Sequence, residues 1–487
     1  MNYSLCVKHE IKLKGISMAL EYYTPGVYVE EVSSGFKPIT GVPTSIVGFI
    51  GQTQKGGLNC AEMITSWNQY FDKYIGYKII AKKSPRGTDV LDATGKPEME
   101  RVANDIVTEL DWGVYAFFNN GGSKCYVVSV AHAEEENNSK EIISVAKQVK
   151  ELEIEVNRDK KDAKKQNELR VLKEKLNRLS SASGGDITKA IIGNDGGVGN
   201  RTGIHCFKDV SEIAILCAPG ITTQAVLEEV LSYCETFNIF AILDAPRTLD
   251  ELADYGLATN FNGLSDLSAK LVSKQAAVYF PWVKTYDKKT DRTISVAPSG
   301  FVAGIYSRVD KQRGVHKAPA NEIVRLAQDL EYNLSDVEQE ILNQKGVNCL
   351  RNFSDIGIRV WGARTTITVA DPEWKYVNVR RLFNMVEKSL MDGSKWAVFE
   401  PNDAFLWKKL KRNVTAFLSR LHRSGALAGS NSNEAFFVRC DSSTNPEENV
   451  DAGIVTIEVG IAPVKPAEFI VFRVSQKSPT AGDAEAE

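Results

Sequence analysis

The clearest pattern of apolar and polar positions lies near the C-terminus, in residues 405–423. Apolar side chains recur there every three or four residues from Trp407 to Leu421, which places them on one face of a helix. The other positions carry several lysines and arginines and no acidic residue. Asn402 can cap the start, and Gly425 follows the last turn as a stop. The pattern predicts a basic amphipathic helix.

A second amphipathic helix is predicted just before the basic one. Asp371 and Pro372 supply its start and Gly393 its end. A short apolar run at residues 395–399 predicts a strand between the two helices. Three further strands are expected at residues 435–440, 454–461 and 468–474. The C-terminal part of the chain is therefore predicted to be an α+β domain.

Apolar runs in the middle of the chain predict buried strands separated by a helix. Residues 212–219 and 238–245 have the length and composition of buried strands, and residues 222–237 between them have helical spacing. This order is a βαβ unit, which implies parallel strands. Another strand follows at residues 276–280. The fold class is thus α/β, within a multidomain α+β chain whose central domain is an α/β sheet.

Two short runs of strand-forming residues, one near each end, are set off by prolines. The first contains Val27, Tyr28, Val29 and Glu30, and the last contains Phe469, Ile470, Val471 and Phe472. A strand this short is not stable alone, so each must join a sheet edge of its own or of a neighbouring molecule. We predict projecting N- and C-terminal β-arms, with hinges at residues 35–43 and 463–466.

A compositional change at residues 139–181 marks an insertion. Two apolar heptad runs lie there out of register with each other, which predicts a helical hairpin turning within residues 157–167. A glycine-rich loop follows at residues 184–203, but it lacks the spacing of a phosphate-binding loop. We interpret the insertion as a solvent-facing decoration, with a coiled-coil partner site as the alternative.

These patterns divide the chain into segments of different character. Met18 opens a more coherent segment than the residues before it. The predicted parts are a loose N-terminal extension (1–17), an N-terminal arm (18–43), a main body with the α/β domain (44–138 and 200–354), the helical hairpin and glycine-rich loop (139–199), a C-terminal domain (355–465), a C-terminal arm (466–476) and a disordered tail (477–487).

The charge of the whole chain limits the partners that can be expected. Its 487 residues have a formal net charge of −3, which argues against a nucleic-acid binder, because phosphate contacts need a basic excess. The basic helix is therefore a local patch, with Lys408, Lys409, Lys411 and Arg412 as candidate contacts. A solvated surface helix and a helix docked on an acidic partner both remain possible. No apolar stretch approaches the length of a membrane span, so no membrane insertion is expected.

Motifs of catalysis and metal binding are missing from the sequence. The eight cysteines form no CxxC pair, and the five histidines have no metal-ligand spacing, so we expect neither a metal nor a cofactor. Asp244 ends a predicted strand, where α/β enzymes place catalytic groups, but no nucleophile elbow or HExxH motif accompanies it. An isolated aspartate there is more often a loop cap. We expect no enzyme, with an α/β hydrolase as a remote alternative.

A series of longer motifs resembles the contractile tail sheath proteins of phage tails and extracellular contractile injection systems. The motifs are TPGVYVEE, PTSIVGFIG, FFNNGGSKCYVV, PSGFVAGIYSRVD, RGVHKAPANE, GIRVWGARTT, DPEWKYVNVRRLF, WAVFEPND, SGALAG, EAFFVRCD and IAPVKPAEFIVFRV. They follow one another from Thr24 to Val474, so the resemblance covers nearly the whole chain. The N-terminal extension and the insertion depart from it.

The resemblance implies a structural subunit that polymerises around an inner tube and contracts to drive it through a target envelope. The two arms would then pair with sheets of neighbouring subunits, and the basic helix would face the tube within a tube-facing C-terminal domain. The middle domain would be the one called subtilisin-like in this family, although no catalytic triad is present in the sequence.

The implied partners are copies of the chain, an inner tube protein, and baseplate and terminal cap proteins. Assembly would take place in the bacterial cytoplasm, into a phage-tail-like particle that is released or anchored. The insertion and the amino-acid sequence of residues 192–205 favour an injection system over the alternative, the tail of a phage virion.

Overall fold

A nine-stranded mixed sheet forms the centre of the computed structural model, which describes residues 38–81, 99–133, 187–287, 291–367 and 370–471. The strands of the described chain are β1 (Val47–Thr53), β2 (Glu62–Ile64), β3 (Tyr77–Ala81), β4 (Met99–Ala103), β5 (Cys125–His132), β6 (Ile215–Cys217), β7 (Phe240–Asp244), β8 (Ala276–Phe280), β9 (Val283–Asp287), β10 (Arg292–Val296), β11 (Glu322–Ile323), β12 (Ala327–Leu330), β13 (Val347–Phe353), β14 (Gly357–Val360), β15 (Phe436–Arg439) and β16 (Glu458–Ile461). The predicted N-terminal arm strand, the helical hairpin at residues 139–181 and the tail at 477–487 lie outside the described residues.

Helices cover both faces of this sheet and build the C-terminal part of the chain. They are α1 (Trp67–Tyr70), α2 (Glu109–Asn120), α3 (Ile187–Ile192), α4 (Gln224–Phe237), α5 (Phe261–Lys270), α6 (Pro298–Arg313), α7 (Asp336–Gln344), α8 (Val377–Ser394), α9 (Ala404–Arg423), α10 (Ser432–Ala435) and α11 (Glu447–Asp451).

The central sheet has the order β11-β14-β13-β8-β7-β6-β1-β5-β2. Strands β5, β1, β6, β7, β8 and β13 run parallel, and helix α4 connects the parallel neighbours β6 and β7. All five residues of β7 and of β8 are buried, because helices cover both faces of a parallel sheet. The predicted α/β fold class and its βαβ unit are confirmed.

Glycines in the motif PSGFVAG allow α2 and α6 to pack closely. A Cβ atom on Gly300 would lie 2.3 Å from the carbonyl oxygen of Gly113, and one on Gly304 would lie 2.6 Å from that of Phe117. At these distances any larger residue would force the helices apart. This part of the motif thus encodes the helix layer on one face of the central sheet.

The C-terminal part of the chain has its own hydrophobic core. It is formed by α8, α9 and β15, with Leu382, Val386 and Phe417 among its buried side chains. Ile39, the second residue of the described chain, is 1% exposed and belongs to the same core. Strands β15 and β16 form a two-stranded sheet of their own, separate from the central sheet.

The connection between α8 and α9 differs from the prediction. Residues 395–399 form no strand: Lys395–Ala397 is a turn of 3₁₀-helix, and Phe399 has a left-handed backbone with φ +68°. The apolar run indicated a strand, but a strand needs a neighbouring edge, and Val398 and Phe399 are 62% and 103% exposed instead. The helix before it begins at Val377 and runs through Gly393, so Gly393 does not end it.

The cap of the basic helix is also one residue from the predicted position. The carboxylate of Asp403 accepts the backbone N–H groups of Phe405 at 3.0 Å and Leu406 at 2.8 Å. Asn402 accepts a hydrogen bond from the indole N–H of Trp407 at 2.8 Å. Asparagine and aspartate can both cap a helix, so the sequence does not show which of the two residues does so. In the folded chain the Asp403 side chain occupies the cap position.

Candidate assembly surfaces

Helix α9 is the predicted basic helix, and its buried face differs in part from the predicted one. Its buried side chains are Leu406, Leu410, Asn413, Val414, Phe417 and Leu418. Trp407 and Leu421, which the spacing placed at the centre of the apolar face, are half-buried. The helix packs this face against β15 and the rest of the C-terminal core.

The four candidate basic contacts do not share one face of α9. Lys408 and Arg412 are one turn apart, exposed, and opposite the buried face. Lys409 and Lys411 lie on its two flanks, because two positions along a helix are roughly 200° apart. A flat partner surface can therefore meet Lys408 and Arg412 side by side, but not all four groups equally.

The two flanking lysines also have neighbours within the chain. The ammonium nitrogen of Lys409 lies 4.2 Å from the centroid of the Phe405 ring, in cation–π contact. The ammonium nitrogen of Lys411 lies 4.0 Å from a carboxylate oxygen of Asp441. Both side chains of that pair are about half exposed, so the pair is weak.

Residues 39–44, here called the N-terminal root, lie against helices α8 and α9 of the C-terminal part. Arg420 of α9 donates a hydrogen bond to the carbonyl oxygen of Ile39. The backbone N–H of Val42 donates to the hydroxyl of Ser389 on α8 at 3.0 Å. The segment that leads towards the predicted N-terminal arm is therefore fixed to the C-terminal helices.

A buried ion pair extends this anchor into the central domain. Arg381 of α8 makes two hydrogen bonds to Asp310 of α6, at 2.6 and 3.0 Å, and the two side chains are 3% and 6% exposed. Thr44 donates its hydroxyl to the same carboxylate at 2.6 Å, and its carbonyl oxygen accepts from Arg381 at 2.9 Å. Three chain segments thus meet at one bidentate pair.

Strands β15 and β16 form a small antiparallel sheet at the C-terminal end. They pair from Phe436 opposite Ile461 to Arg439 opposite Glu458. No third strand of the described chain joins this sheet. Two strands are marginal by themselves, and their outer edges offer backbone groups to another strand.

Glu468 is held by four side chains just after this sheet. Its carboxylate lies 2.6 Å from Arg364 Nε and 3.0 Å from Lys375 Nζ, and it accepts hydrogen bonds from Tyr376 at 3.1 Å and Asn343 at 3.5 Å. Partial burial alone would raise the pKa of Glu468, but the hydrogen bonds and charges of Arg364 and Lys375 outweigh it and hold the pKa at about 2. The group is therefore a carboxylate at any physiological pH.

The apolar residues after Glu468 project into solvent. Phe469, Ile470 and Val471 are 73%, 78% and 78% exposed and form no strand. The strand predicted at residues 468–474 is thus not formed in its described portion, where these residues pair with no strand of the described chain. Phe472 and the N-terminal arm residues Val27, Tyr28, Val29 and Glu30 lie outside the described residues.

Asp244, the candidate catalytic group of the central domain, caps a helix. Its carboxylate accepts the backbone N–H of Ser299 at 2.7 Å, the Ser299 hydroxyl at 2.7 Å and the backbone N–H of Gly220 at 3.0 Å. Burial raises the pKa of Asp244 to about 6 against these hydrogen bonds. Burial likewise raises the pKa of Glu109 to about 7, although the backbone N–H of Ala297 donates to it. Both carboxyl groups therefore accept backbone hydrogen bonds at the start of α6.

The described chain shows no metal-ligand cluster, no disulfide bond and no helix that could span a membrane. No group of three or more histidine, cysteine or acidic side chains there could hold a metal ion. The seven described cysteines are free thiols, and six of them are buried. Among the described helices, none combines the length and apolar character needed to cross a bilayer.

In the described chain the β15–β16 sheet has two strands, and the apolar residues after Glu468 project into solvent. Two family models match the chain: the phage tail sheath protein central domain at residues 208–366 and the phage tail sheath C-terminal domain at residues 369–477. Together they cover more than half of the 487 residues. The chain belongs to the phage tail sheath family, a family of structural proteins, and the resemblance found in its motifs is confirmed.

Similar proteins come from both phage tails and injection systems. A protein of Pseudomonas aeruginosa strain UCBPP-PA14, described as a prophage major tail sheath protein, is 27% identical over 297 residues, which are 58% of this chain and 72% of that protein. A sheath-complex chain of PVC, an extracellular contractile injection system in the contracted state, is 26% identical with a TM-score of 0.62 and covers 94% of this chain and 99% of that chain. A chain of the anti-feeding prophage (AFP) baseplate structure is 26% identical with a TM-score of 0.60, covering 94% and 100%.

The anchoring residues were not found by sequence reasoning. Glu468 directly precedes an apolar run, whereas Asp310 and Arg381 stand among polar and charged neighbours. A charge at such positions is either exposed or paired in the interior, and the sequence does not say with which partner. The exposed apolar residues 469–471 and the basic helix have local signals in the sequence, because side-chain type and spacing act over a few residues.

Proposed function

We propose that the chain is the sheath subunit of a contractile injection particle. It polymerises around an inner tube and contracts to drive that tube through a target envelope. The observation that carries the proposal is the match to the PVC and AFP chains, which extends over 94% of this chain and nearly all of theirs. The second candidate, a phage tail sheath, is supported by the curated relatives, such as that from Escherichia phage P2.

The proposed partners are copies of the chain, the inner tube protein, and the baseplate and terminal cap proteins. Assembly takes place in the bacterial cytoplasm. The subunit has no catalytic role, which agrees with the packing function of Asp244. Contraction then needs no nucleotide, because neighbouring subunits gain buried surface. At roughly 25 cal/mol per Å², a few hundred Å² per subunit gives several kcal/mol.

The arms are the proposed links between subunits. The outer edges of β15 and β16 accept strands from neighbours, and the apolar segment beginning at Phe469 supplies one of them. Pairing would bury side chains that are about three-quarters exposed in the single chain. Residues 27–30 of the N-terminal arm supply the other strand.

Electron microscopy of the purified protein tests this function. The full chain should form long hollow cylinders, and a variant lacking residues 469–487 should remain folded but fail to form them. A variant lacking only residues 477–487 is the matched control and should assemble. A full chain that stays monomeric at high concentration would overturn the proposal, and cylinders without residues 469–487 would overturn the role of the C-terminal arm.

Helix α9 is the proposed contact with the inner tube, with Lys408 and Arg412 at its centre and Lys409 and Lys411 on its flanks. Exposed ion pairs are individually weak, which suits a contact that holds the tube and then releases it. Reversing Lys408 and Arg412 to glutamate should abolish co-sedimentation with the tube protein while cylinders still form. Lys395→Glu, at a lysine that is 71% exposed outside this face, is the control. Normal co-sedimentation of the double variant would exclude this contact.

A further inference from the structure

The cluster around Glu468 joins the C-terminal segment to the central domain. Asn343 is the next-to-last residue of α7, Arg364 follows β14, and Lys375 and Tyr376 precede α8. One carboxylate thus connects three separate segments of the chain. All four groups donate hydrogen bonds to it, so the site is complete only when Glu468 is present and ionised.

Arg364 makes this cluster costly to open. Its side chain is 8% exposed, and its guanidinium also donates to the carbonyl oxygen of Asn343 at 2.6 Å. Among the described residues, Glu468 is the carboxylate within salt-bridge distance of Arg364. Withdrawing Glu468 would leave a buried guanidinium without a counter-charge, which is strongly unfavourable.

The backbone upstream of Glu468 is fixed as well. The backbone N–H of Val464 donates to the carbonyl oxygen of Ala426 at 3.4 Å, and the carbonyl oxygen of Val464 accepts from Asn378 at 3.1 Å. Pro463 forms an isolated bridge with Leu427. The first two residues of the hinge predicted at residues 463–466 are therefore themselves anchored, and only residues 465–466 lie between them and the cluster at Glu468.

We propose that Glu468 is the fixed pivot of the C-terminal arm. It is a positioning residue, and the segment that moves between subunits begins at Phe469. Residues 463–468, here called the C-terminal root, remain on their own subunit during assembly and contraction, because the buried charge of Arg364 holds Glu468 there. This inference rests on the proposed role of the arm in joining subunits.

Assembly of full-length variants tests the pivot. Glu468→Gln keeps the shape of the side chain but removes the charge, and it should raise the concentration at which cylinders form by about tenfold, the factor that corresponds to about 1.4 kcal/mol. Lys375→Met, which leaves the Arg364 pair intact, should change it in the same direction but less. Glu447→Gln, at an exposed glutamate of α11, is the matched control and should assemble as the unchanged chain does.

Limited proteolysis with a protease of broad specificity supplies a second measurement. In the unchanged monomer, cleavage should begin after Glu468, whereas in Glu468→Gln it should extend to residues 465–468. A purely structural role would lower thermal stability without moving this cleavage boundary.

Three outcomes separate the pivot from the function on which it rests. Loss of cylinders on removing residues 469–487, together with weakened assembly and a moved boundary in Glu468→Gln, would support the pivot. Loss of cylinders on that truncation, with normal assembly of Glu468→Gln, would overturn the pivot and leave the arm's role standing. Cylinders in both variants would overturn both.

Discussion

The two ends of the described chain are anchored by different physical means. The N-terminal root at residues 39–44 combines a fully buried apolar side chain, Ile39, with two hydrogen bonds of Thr44 to the buried pair of Asp310 and Arg381. The C-terminal root depends on Glu468, whose side chain is 22% exposed within a cluster of charges. The first anchor is shielded from solvent and should respond little to salt, whereas the second depends on one partly exposed carboxylate.

The largest effect is expected at the buried pair of the N-terminal root. Asp310→Asn leaves the guanidinium of Arg381, which is 3% exposed, without its counter-charge. Loss of one partner of a buried pair costs about 3–5 kcal/mol of unfolding free energy. Urea unfolding measures the loss. Asp392→Asn, which removes a surface pair with Lys395, should cost about 1 kcal/mol or less. Equal losses in the two variants would show that the buried pair does not stabilise the anchor.

The apolar part of the same root is expected to have the next largest effect. Ile39 is 1% exposed and packs against Gly393, where an added Cβ atom would lie 2.7 Å from it. Ile39→Ala should lower the free energy of unfolding by about 2–4 kcal/mol, from lost burial and the cavity left behind. Ile454→Ala, at a residue that is 51% exposed, is the control. A loss below that of the control would mean that the root is held by its polar contacts.

The pH dependence should have opposite signs at the C-terminal root and in the central domain. Glu468 has a folded pKa of about 2, below its unfolded value, so its stabilisation is present above the unfolded pKa and is lost as the pH falls towards 2. Glu109 has a folded pKa of about 7, above its unfolded value, so its ionisation destabilises the fold as the pH rises from about 4.5 to 7.

Unfolding free energies measured across this range test both signs. Glu109→Gln should reduce the loss of stability between pH 5 and pH 8, at roughly 1.4 kcal/mol for each pKa unit removed. Glu468→Gln should instead flatten the decline below about pH 4. If Glu109→Gln left the profile between pH 5 and pH 8 unchanged, the carboxyl would not be buried as described.

The smallest effect on stability is expected at the surface of α9 that is proposed to contact the tube. Lys408 and Arg412 are exposed on α9, so reversing both to glutamate should change the free energy of unfolding by about 0.5 kcal/mol or less. Thermal unfolding measures this directly. A large loss would mean that these residues stabilise the fold and that their effect on tube binding cannot be separated from it.

Much of the fold could be predicted because its signals are local. The strand at residues 276–280 and the helix after Thr223 follow from apolar runs and spacing, and both lie within two residues of their predicted bounds. The strand predicted at 395–399 was wrong because an apolar run does not state whether a sheet edge is near. The same limit applies to residues 468–471, whose strand-forming side chains pair with no strand among the described residues.

The sequence by itself determined the α/β class, the basic amphipathic helix and the apolar segments at the two ends, because periodicity and side-chain type act over a few residues. Its longer motifs also indicated the sheath family, which the family models confirm. Only the tertiary structure decided that Asp310 meets Arg381, that Asp244 caps α6 and that Glu468 closes a cluster on the central domain. Each of these contacts joins residues at least 55 positions apart, so the folded backbone selects the partner of each charge.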